Sequence, residues 1–341
     1  MSRLFVAFLS ARACCKPMDL GAKTSSFASC ATANDYPFAV VSVDVGGTKI
    51  ACALMRYESA DAAPQGVWNK SVSTEASRGG AAVLESIVGV AAAAMEASAG
   101  LGLKVLGIGV GTAGRVDAKT GSIAYANEIM PGWAGQPVAQ RLRDVFGLPV
   151  AVLGDVQAHA LGEARWGAAH GAQTCIVMAP GTGLGGGIIV NGRIVRGCHG
   201  FAGEIGATSN TLCAGDGNLE SVASGSGIEA RYRALTGRSL SGADISSRAN
   251  DGEEAAIEVI SNAGRSLGIA LAGWVNMLDP EMAVVSGSVT KAGPLWRNAL
   301  QEAFASHAPE VQSKLPIVDA ALGSNAPLVG AAENLLDSLK G

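Results

Sequence analysis

Residues 43–50 read Val-Asp-Val-Gly-Gly-Thr-Lys-Ile. An acid, two glycines, a hydroxyl and a cation occupy consecutive positions between two apolar runs. Residues 39–43 before them are apolar and β-branched, and Ile50, Cys52 and Leu54 alternate with Ala51 and Ala53 after them. That pattern predicts strand, tight turn, strand. Glycine has no Cβ, so the amides of Gly46 and Gly47 can approach a phosphate oxygen closely. One such turn is more often simply a turn, and its meaning depends on the rest of the chain.

The same grammar returns later. Residues 175–178 predict a strand, 181–187 (Gly-Thr-Gly-Leu-Gly-Gly-Gly) a loop, and 188–190 a strand that turns at Asn191-Gly192. Between the copies the periodicity predicts a helix over 81–97, a buried strand over 105–110, a helix over 136–146, a strand over 150–153 and a helix over 157–166. Further helices are expected at about 226–235, 253–277 and 293–306, a strand at 282–285 and a last helix at about 327–339. Two copies of strand, glycine turn, strand, each followed by βα units, imply an α/β protein with two similar lobes around a cleft. Two glycine turns facing that cleft can clamp a nucleotide's phosphates from both sides. Thr48 and Thr182 can donate hydroxyls to phosphate oxygens, and Asp44 can orient a magnesium ion through water, since hard cations prefer oxygen ligands.

Other phosphate-binding designs fit less well. Gly109–Gly114 and Gly181–Gly186 both match G-x-G-x-x-G, but a dinucleotide site needs a helix next, and strand-like residues follow each. Residues 46–49 lack the G-K-[ST] order of a Walker loop. Only 16% of the residues are charged and the formal net charge is −4, with no long basic run. Nucleic acid therefore has no electrostatic support as a partner. The longest uncharged runs fall short of the ~20 apolar residues of a membrane span, so none is expected. The seven cysteines form no C-x-x-C pair. Cys52 and Cys175 fall in strand-like runs and read as small core residues, which suits a reducing, cytoplasmic setting.

Residues 1–38 have a different composition, with basic residues, serines and the apolar segment Leu4–Leu9. The segment reads either as an organellar or secretory targeting sequence, or as an over-called start with Met18 or a later residue as the beginning. It is expected to be poorly ordered.

Asp155 follows the strand at 150–153 and opens a helix. Taken alone, a carboxylate there reads as a helix N-cap. The wider motif set changes that reading. Asp44–Lys49 (DVGGTK), 154–163 (GDVQAHALGE), 181–187 (GTGLGGG) and 203–206 (GEIG), in this order from about Ala39 to the C-terminus, resemble the ROK family of sugar kinases. The resemblance implies the actin-like ATPase fold of hexokinase and acetate kinase type, with ATP and Mg²⁺ and a hexose or N-acetylhexosamine such as glucose or N-acetylmannosamine. It makes Asp155 the general base and assigns Asp44, Gly46, Gly47, Thr48, Lys49, Gly181, Thr182, Gly183 and Gly287 to the nucleotide. Gly114, Arg115, Asn127, Gly154, Glu204 and Glu220 fall on the sugar side. Trp133, just beyond Asn127, reads better as a hydrophobic anchor than as a sugar contact. The lobes are expected at 39–153 and 154–326, with a helix over 327–341 packing back on the first lobe. A homodimer is expected by family analogy only.

The chain departs from the family in three places. Gly154 stands where the family usually has asparagine, which removes one hydrogen bond to the sugar unless a neighbour or water replaces it. Ala207 replaces the histidine of E-x-G-H. Of the three thiols of the family's zinc cluster only Cys213 remains, and one thiol cannot supply about four ligands, so no structural zinc is expected. The family also contains repressors with an N-terminal helix-turn-helix domain, which 38 residues of this composition cannot provide. A catalytically weak sugar-binding or regulatory protein is the alternative to an active kinase. The losses are confined to the sugar side, which favours altered substrate choice.

Overall fold

The computed structural model describes residues 36–128, 130–209 and 217–340. β1 (Phe38–Val45) is buried along nearly its whole length, as expected of a strand covered on both faces. The turn 45–49 returns the chain into β2 (Lys49–Tyr57), and β3 (Gln65–Ser73) completes an antiparallel meander. The helix α1 (Gly80–Gly100) crosses to β4 (Val105–Thr112), which lies parallel to β1. A small two-stranded flap, β5 (Arg115–Val116) with β6 (Ile123–Tyr125), then α2 (Val138–Phe146), leads to β7 (Val150–Gly154), parallel to β4. The sheet order is β3-β2-β1-β4-β7.

After α3 (Asp155–Trp166) the same scheme begins again. β8 (Cys175–Pro180), β9 (Leu184–Val190) and β10 (Arg193–Ile194) form the second meander. The helices α4 (Glu220–Ala223), α5 (Gly225–Thr236), α6 (Gly242–Asn250) and α7 (Glu254–Leu278) follow, then β11 (Met282–Val285), parallel to β8. α8 (Pro294–His307) leads to β12 (Ile317–Asp319), and α9 (Ala326–Leu339) closes the described chain. The second order, β10-β9-β8-β11-β12, repeats the first strand for strand. This duplicated topology is the actin-like ATPase fold.

Glycines set how closely the layers approach. α3 lies on β9, where a Cβ on Gly187 would sit 2.3 Å from that of Ala160. α9 lies on β4, where a Cβ on Gly109 would sit 2.0 Å from the Ala331 carbonyl oxygen. Gly109 therefore serves first to seat α9, and a strand, not a helix, directly follows residues 109–114 in the chain. α9 is tied to the first sheet by the Tyr57 hydroxyl, which donates to Glu333 at 2.9 Å. Arg165 of α3 reaches Asp337 of α9 at 2.6 Å.

Four readings made from sequence need correction. Residues 181–187 are not one loop, because β9 begins at Leu184 and its glycines are strand residues pressed by α3. β3 was not foreseen, since as an edge strand it is mostly exposed and carries Asn69 and Lys70 rather than an apolar alternation. The third is α6, whose polar surface hid the period. The fourth concerns membrane spans, which uncharged runs alone do not test, since Glu85 and Glu96 interrupt α1. α1 is long and apolar enough to cross a membrane, yet Val83, Leu84, Ile87, Val90, Ala91 and Ala94 are buried against the first sheet. Cys52 and Cys175 are buried core thiols as expected, and burial pushes both up to about 12.

Candidate active site

The parallel strands β1, β4 and β7 end at one edge of the first sheet, the edge at which α/β proteins place their ligands. Register puts Asp44 beside Gly111, Gly111 beside Leu153, and Thr112 beside Gly154. Asp44 and Asp155 thus emerge from flanking strands with a glycine between them. A Cβ on Gly111 would lie 3.9 Å from both Asp44 Oδ1 and the Asp155 Cα, and 3.1 Å from the Ala158 Cβ.

Asp155 is the first residue of α3, one position inside the cap, which is Gly154. Its Oδ1 accepts the Val156 N–H at 2.8 Å. Burial, opposed by that hydrogen bond and aided by the negative charges of Asp44 and Glu204, raises its pKa to about 6. Burial also raises Asp44 to about 6, against the attraction of Lys49. Asp155 is surrounded by protein on most sides and open on the cleft side, where it lines the wall.

The cleft itself measures about 710 Å³. Of the residues expected at the site, Gly47, Gly114, Arg115, Asn127, Gly154, Asp155, Gly181, Thr182, Gly183, Glu204 and Glu220 line it. Both glycine turns are held from behind. In the first, Gly46 N–H donates to the Lys49 carbonyl at 2.9 Å, and the Thr74 hydroxyl donates to the Gly46 carbonyl at 2.7 Å. In the second, the carbonyls of Gly181 and Thr182 accept the amides of Gly225 and Ser226 at the start of α5.

Asp44, Gly46, Thr48, Lys49 and Gly287 do not line the cleft wall. Asp44 lies beneath it, while Thr48 and Lys49 are exposed at the tip of the first turn. Gly287 sits behind the second turn at a φ of 84°, where a Cβ would meet the Pro180 carbonyl oxygen at 2.4 Å. Its role is to let that turn lie against the end of β11. Glu220 also differs from expectation. Its Oε2 accepts the Leu184 N–H at 2.7 Å, so the carboxylate secures the second turn as well as facing the cleft.

Arg115 lies between the rings of Tyr125 and Phe201, 4.9 and 4.6 Å from their centroids, and pairs with Glu204 at 3.2 Å. It links the flap to the segment after β10 across the cleft mouth. Both partners of the ion pair are partly exposed, so the bond contributes little stability. Gly114, at a φ of 90°, is required where the flap turns, because a Cβ would lie 2.7 Å from the Tyr125 carbonyl oxygen. Trp133 is fully buried and donates to Thr112 and Ala113 under the flap, as an anchor. Gln157, Tyr125 and Gly200 line the cleft without having been singled out from sequence; Gln157 had a signal, one turn from Gly154 on the same helix.

Cys213 and the rest of residues 210–216 lie outside the described residues. Among the described residues no group of three or more His, Cys, Asp or Glu is placed to hold a metal ion. A single half-buried carboxylate such as Asp44, just beneath the cleft wall, still fits the water shell of a magnesium ion carried with a nucleotide.

Two phosphate-sized glycine turns facing one carboxylate across an actin-like cleft define a phosphotransferase of the sugar-kinase type. The ROK family model matches residues 40–337, and the chain belongs to the ROK family. It is 32% identical over 317 residues to the glucokinase of Halalkalibacterium halodurans, covering 85% of this chain and 92% of that protein. The ROK hexokinase of Thermus thermophilus superposes with a TM-score of 0.78 at 30% identity, covering 89% of this chain and all of that one. A ROK family glucokinase from Streptomyces griseus, solved in complex with glucose and AMPPNP, superposes with a TM-score of 0.69 at 28% identity, covering 86% and 98%.

Proposed function

We propose that this ATP-dependent sugar kinase transfers the γ-phosphoryl group of ATP to a hydroxyl of a hexose or N-acetylhexosamine, with Asp155 as the general base. The observation that carries the reading is the placement of Asp155 at the cleft floor, fixed by the Val156 amide and facing both glycine turns. The glucose and AMPPNP complex of the Streptomyces griseus relative supports glucose-type sugars and a nucleotide triphosphate as the pair to test first. The N-acetylhexosamine half of the reading rests on sequence resemblance.

In this account the sugar lies under the flap, against Gly114, Asn127 and Glu204, with one hydroxyl on Asp155. The carboxylate takes the hydroxyl proton as the oxygen attacks the γ-phosphorus, a role worth ~10²–10⁴-fold in rate. The turns at 45–49 and 181–183 hold the phosphates with backbone amides and the hydroxyls of Thr48 and Thr182. Most of the remaining acceleration comes from that positioning. Asp44 is the residue that would hold the magnesium ion through water, and the ion supplies charge neutralisation on the phosphates. The division into lobes at 39–153 and 154–326, with the last helix returned to the first, gives two halves able to close on the substrates.

A base with a pKa near 6 must be ionised to work. The log of kcat/KM for the sugar should therefore rise with pH up to about pH 6 and level off above it. Asp44 titrates in the same window, so the limb belongs to the pair rather than to one residue. A profile flat from pH 5 to 8 would place the ionisation of the site carboxylates below pH 5 and contradict the raised pKa.

The direct test of the reading is ADP release from ATP·Mg²⁺ in the presence of glucose, mannose, glucosamine, N-acetylglucosamine and N-acetylmannosamine. Turnover is expected with at least one. Failure on all five, with ATP still bound, would favour a sugar-binding protein over a kinase.

A further inference from the structure

Resting on the kinase reading above, we propose that Gln157 is a sugar-positioning and specificity residue: its amide oxygen accepts a hydrogen bond from a sugar donor other than the reacting hydroxyl. Gln157 stands two residues after Asp155 on α3, is only 9% exposed, and lines the cleft. Its Nε2 donates to the carbonyls of Ala202 at 3.0 Å and Gly200 at 3.4 Å. Carbonyls accept and cannot donate, so the amide orientation is set by chemistry: the NH₂ group must face those two oxygens. The other end, Oε1, is left as a fixed acceptor on the side of Gly154, 3.5 Å from where a Cβ on that residue would stand. Among the described residues no protein donor reaches it.

The absence of a side chain at Gly154 is what exposes this oxygen. A larger residue there would fill the space between Gln157 and the Gly114 carbonyl oxygen, which lies 3.7 Å from the same Cβ position. With glycine, the cleft presents two acceptors from the first turn of α3, Asp155 and Gln157, both on its wall. Such a pair selects a substrate that carries a second donor, a hydroxyl or an amide N–H, besides the reacting hydroxyl. A buried acceptor that loses its donor discriminates against the deoxy analogue.

The experiment uses the full chain and its best sugar from the panel above. Gln157→Ala, and Gln157→Met as a variant of similar length, are assayed for the KM of sugar and of ATP, alongside each monodeoxy form of that sugar. Thermal unfolding is followed in parallel. The expected result is a sugar KM about tenfold higher, the size of one lost neutral hydrogen bond, with the ATP KM within about twofold. One monodeoxy sugar, poor for the wild type, should be penalised no further by either variant. Sugar and ATP KM rising together, or discrimination against every deoxy sugar surviving in both variants, would overturn the assignment. A wild type that turns over no sugar would overturn the parent reading and this one with it. An active wild type with insensitive variants would overturn this one alone.

Discussion

Asp155→Asn is expected to lower kcat for sugar phosphorylation by ~10²–10⁴-fold while changing ATP affinity little. Asparagine keeps the shape and still accepts the Val156 N–H, which positions the side chain at 2.8 Å in the wild type. What it loses is the capacity to take a proton. Stability should move the other way. The folded-state pKa of about 6 lies above the ordinary value of 3.8, so between those two pH values the native protein binds more protons than the unfolded chain. The ionised carboxylate therefore costs stability progressively as pH rises from about 4 to about 6, and that cost persists at neutral pH. The cleft-side opening makes the linkage figure a ceiling, at most about 3 kcal/mol. The variant should thus melt a few degrees above the wild type at pH 7.5 and show no such gain at pH 4. Wild-type turnover in the variant would remove Asp155 as the base.

Gly330→Ala is expected to cost more stability than any change confined to the cleft. α3 and α9 cross at Gly330, where an added Cβ would lie 1.7 Å from the Ala158 carbonyl oxygen and 2.8 Å from the Gly162 nitrogen. Backbone surrounds the position, so no side chain can swing away and the two helices must separate. Overpacking commonly costs 1–3 kcal/mol, and a clash of helix against helix backbone belongs at or beyond about 3 kcal/mol. For a chain of this size that is about 10 °C in the unfolding midpoint, or failure to accumulate folded protein. Asp155 opens α3, so any variant that does fold should also lose kcat. Gly273→Ala is the matched control. It stands in α7 with nothing within 4 Å of the added Cβ, and replacing a helical glycine there should stabilise by about 0.5–1 kcal/mol. Equal melting temperatures for the two variants would contradict the crossing geometry.

The sequence carried the duplication clearly because buried strands such as β1 and β8 are nearly all apolar and end at glycine turns. It made Asp155 visible as an acid at a strand-to-helix junction, which alone reads as a helix N-cap; the family resemblance gave it the role of base. What it hid follows from the same physics. β3 is an edge strand with a solvated face, so its residues carry no period. Gly185, Gly186 and Gly187 looked like loop because glycine's usual signal is a turn, whereas here they make room for α3 and Ile205, contacts remote in sequence. The cleft role of Gln157 depends on the carbonyls of Gly200 and Ala202, more than forty residues away. Glu220 was legible as a site residue, but its bond to the Leu184 amide was not, because that bond exists only after the second turn has folded beside α4.

The account places a sugar hydroxyl on Asp155 and the phosphates of ATP on the two glycine turns. The most direct measurement is a crystal structure of the wild type with glucose and a non-hydrolysable ATP analogue. The predicted result is one glucose hydroxyl about 2.6–3.2 Å from an Asp155 carboxylate oxygen. The γ-phosphate should lie beyond that hydroxyl, with the amides of 47–48 and 182–183 on the phosphate oxygens, since those of Gly46 and Gly181 donate within their own turns. Glucose bound with no hydroxyl near Asp155, or a triphosphate touching neither turn, would contradict it.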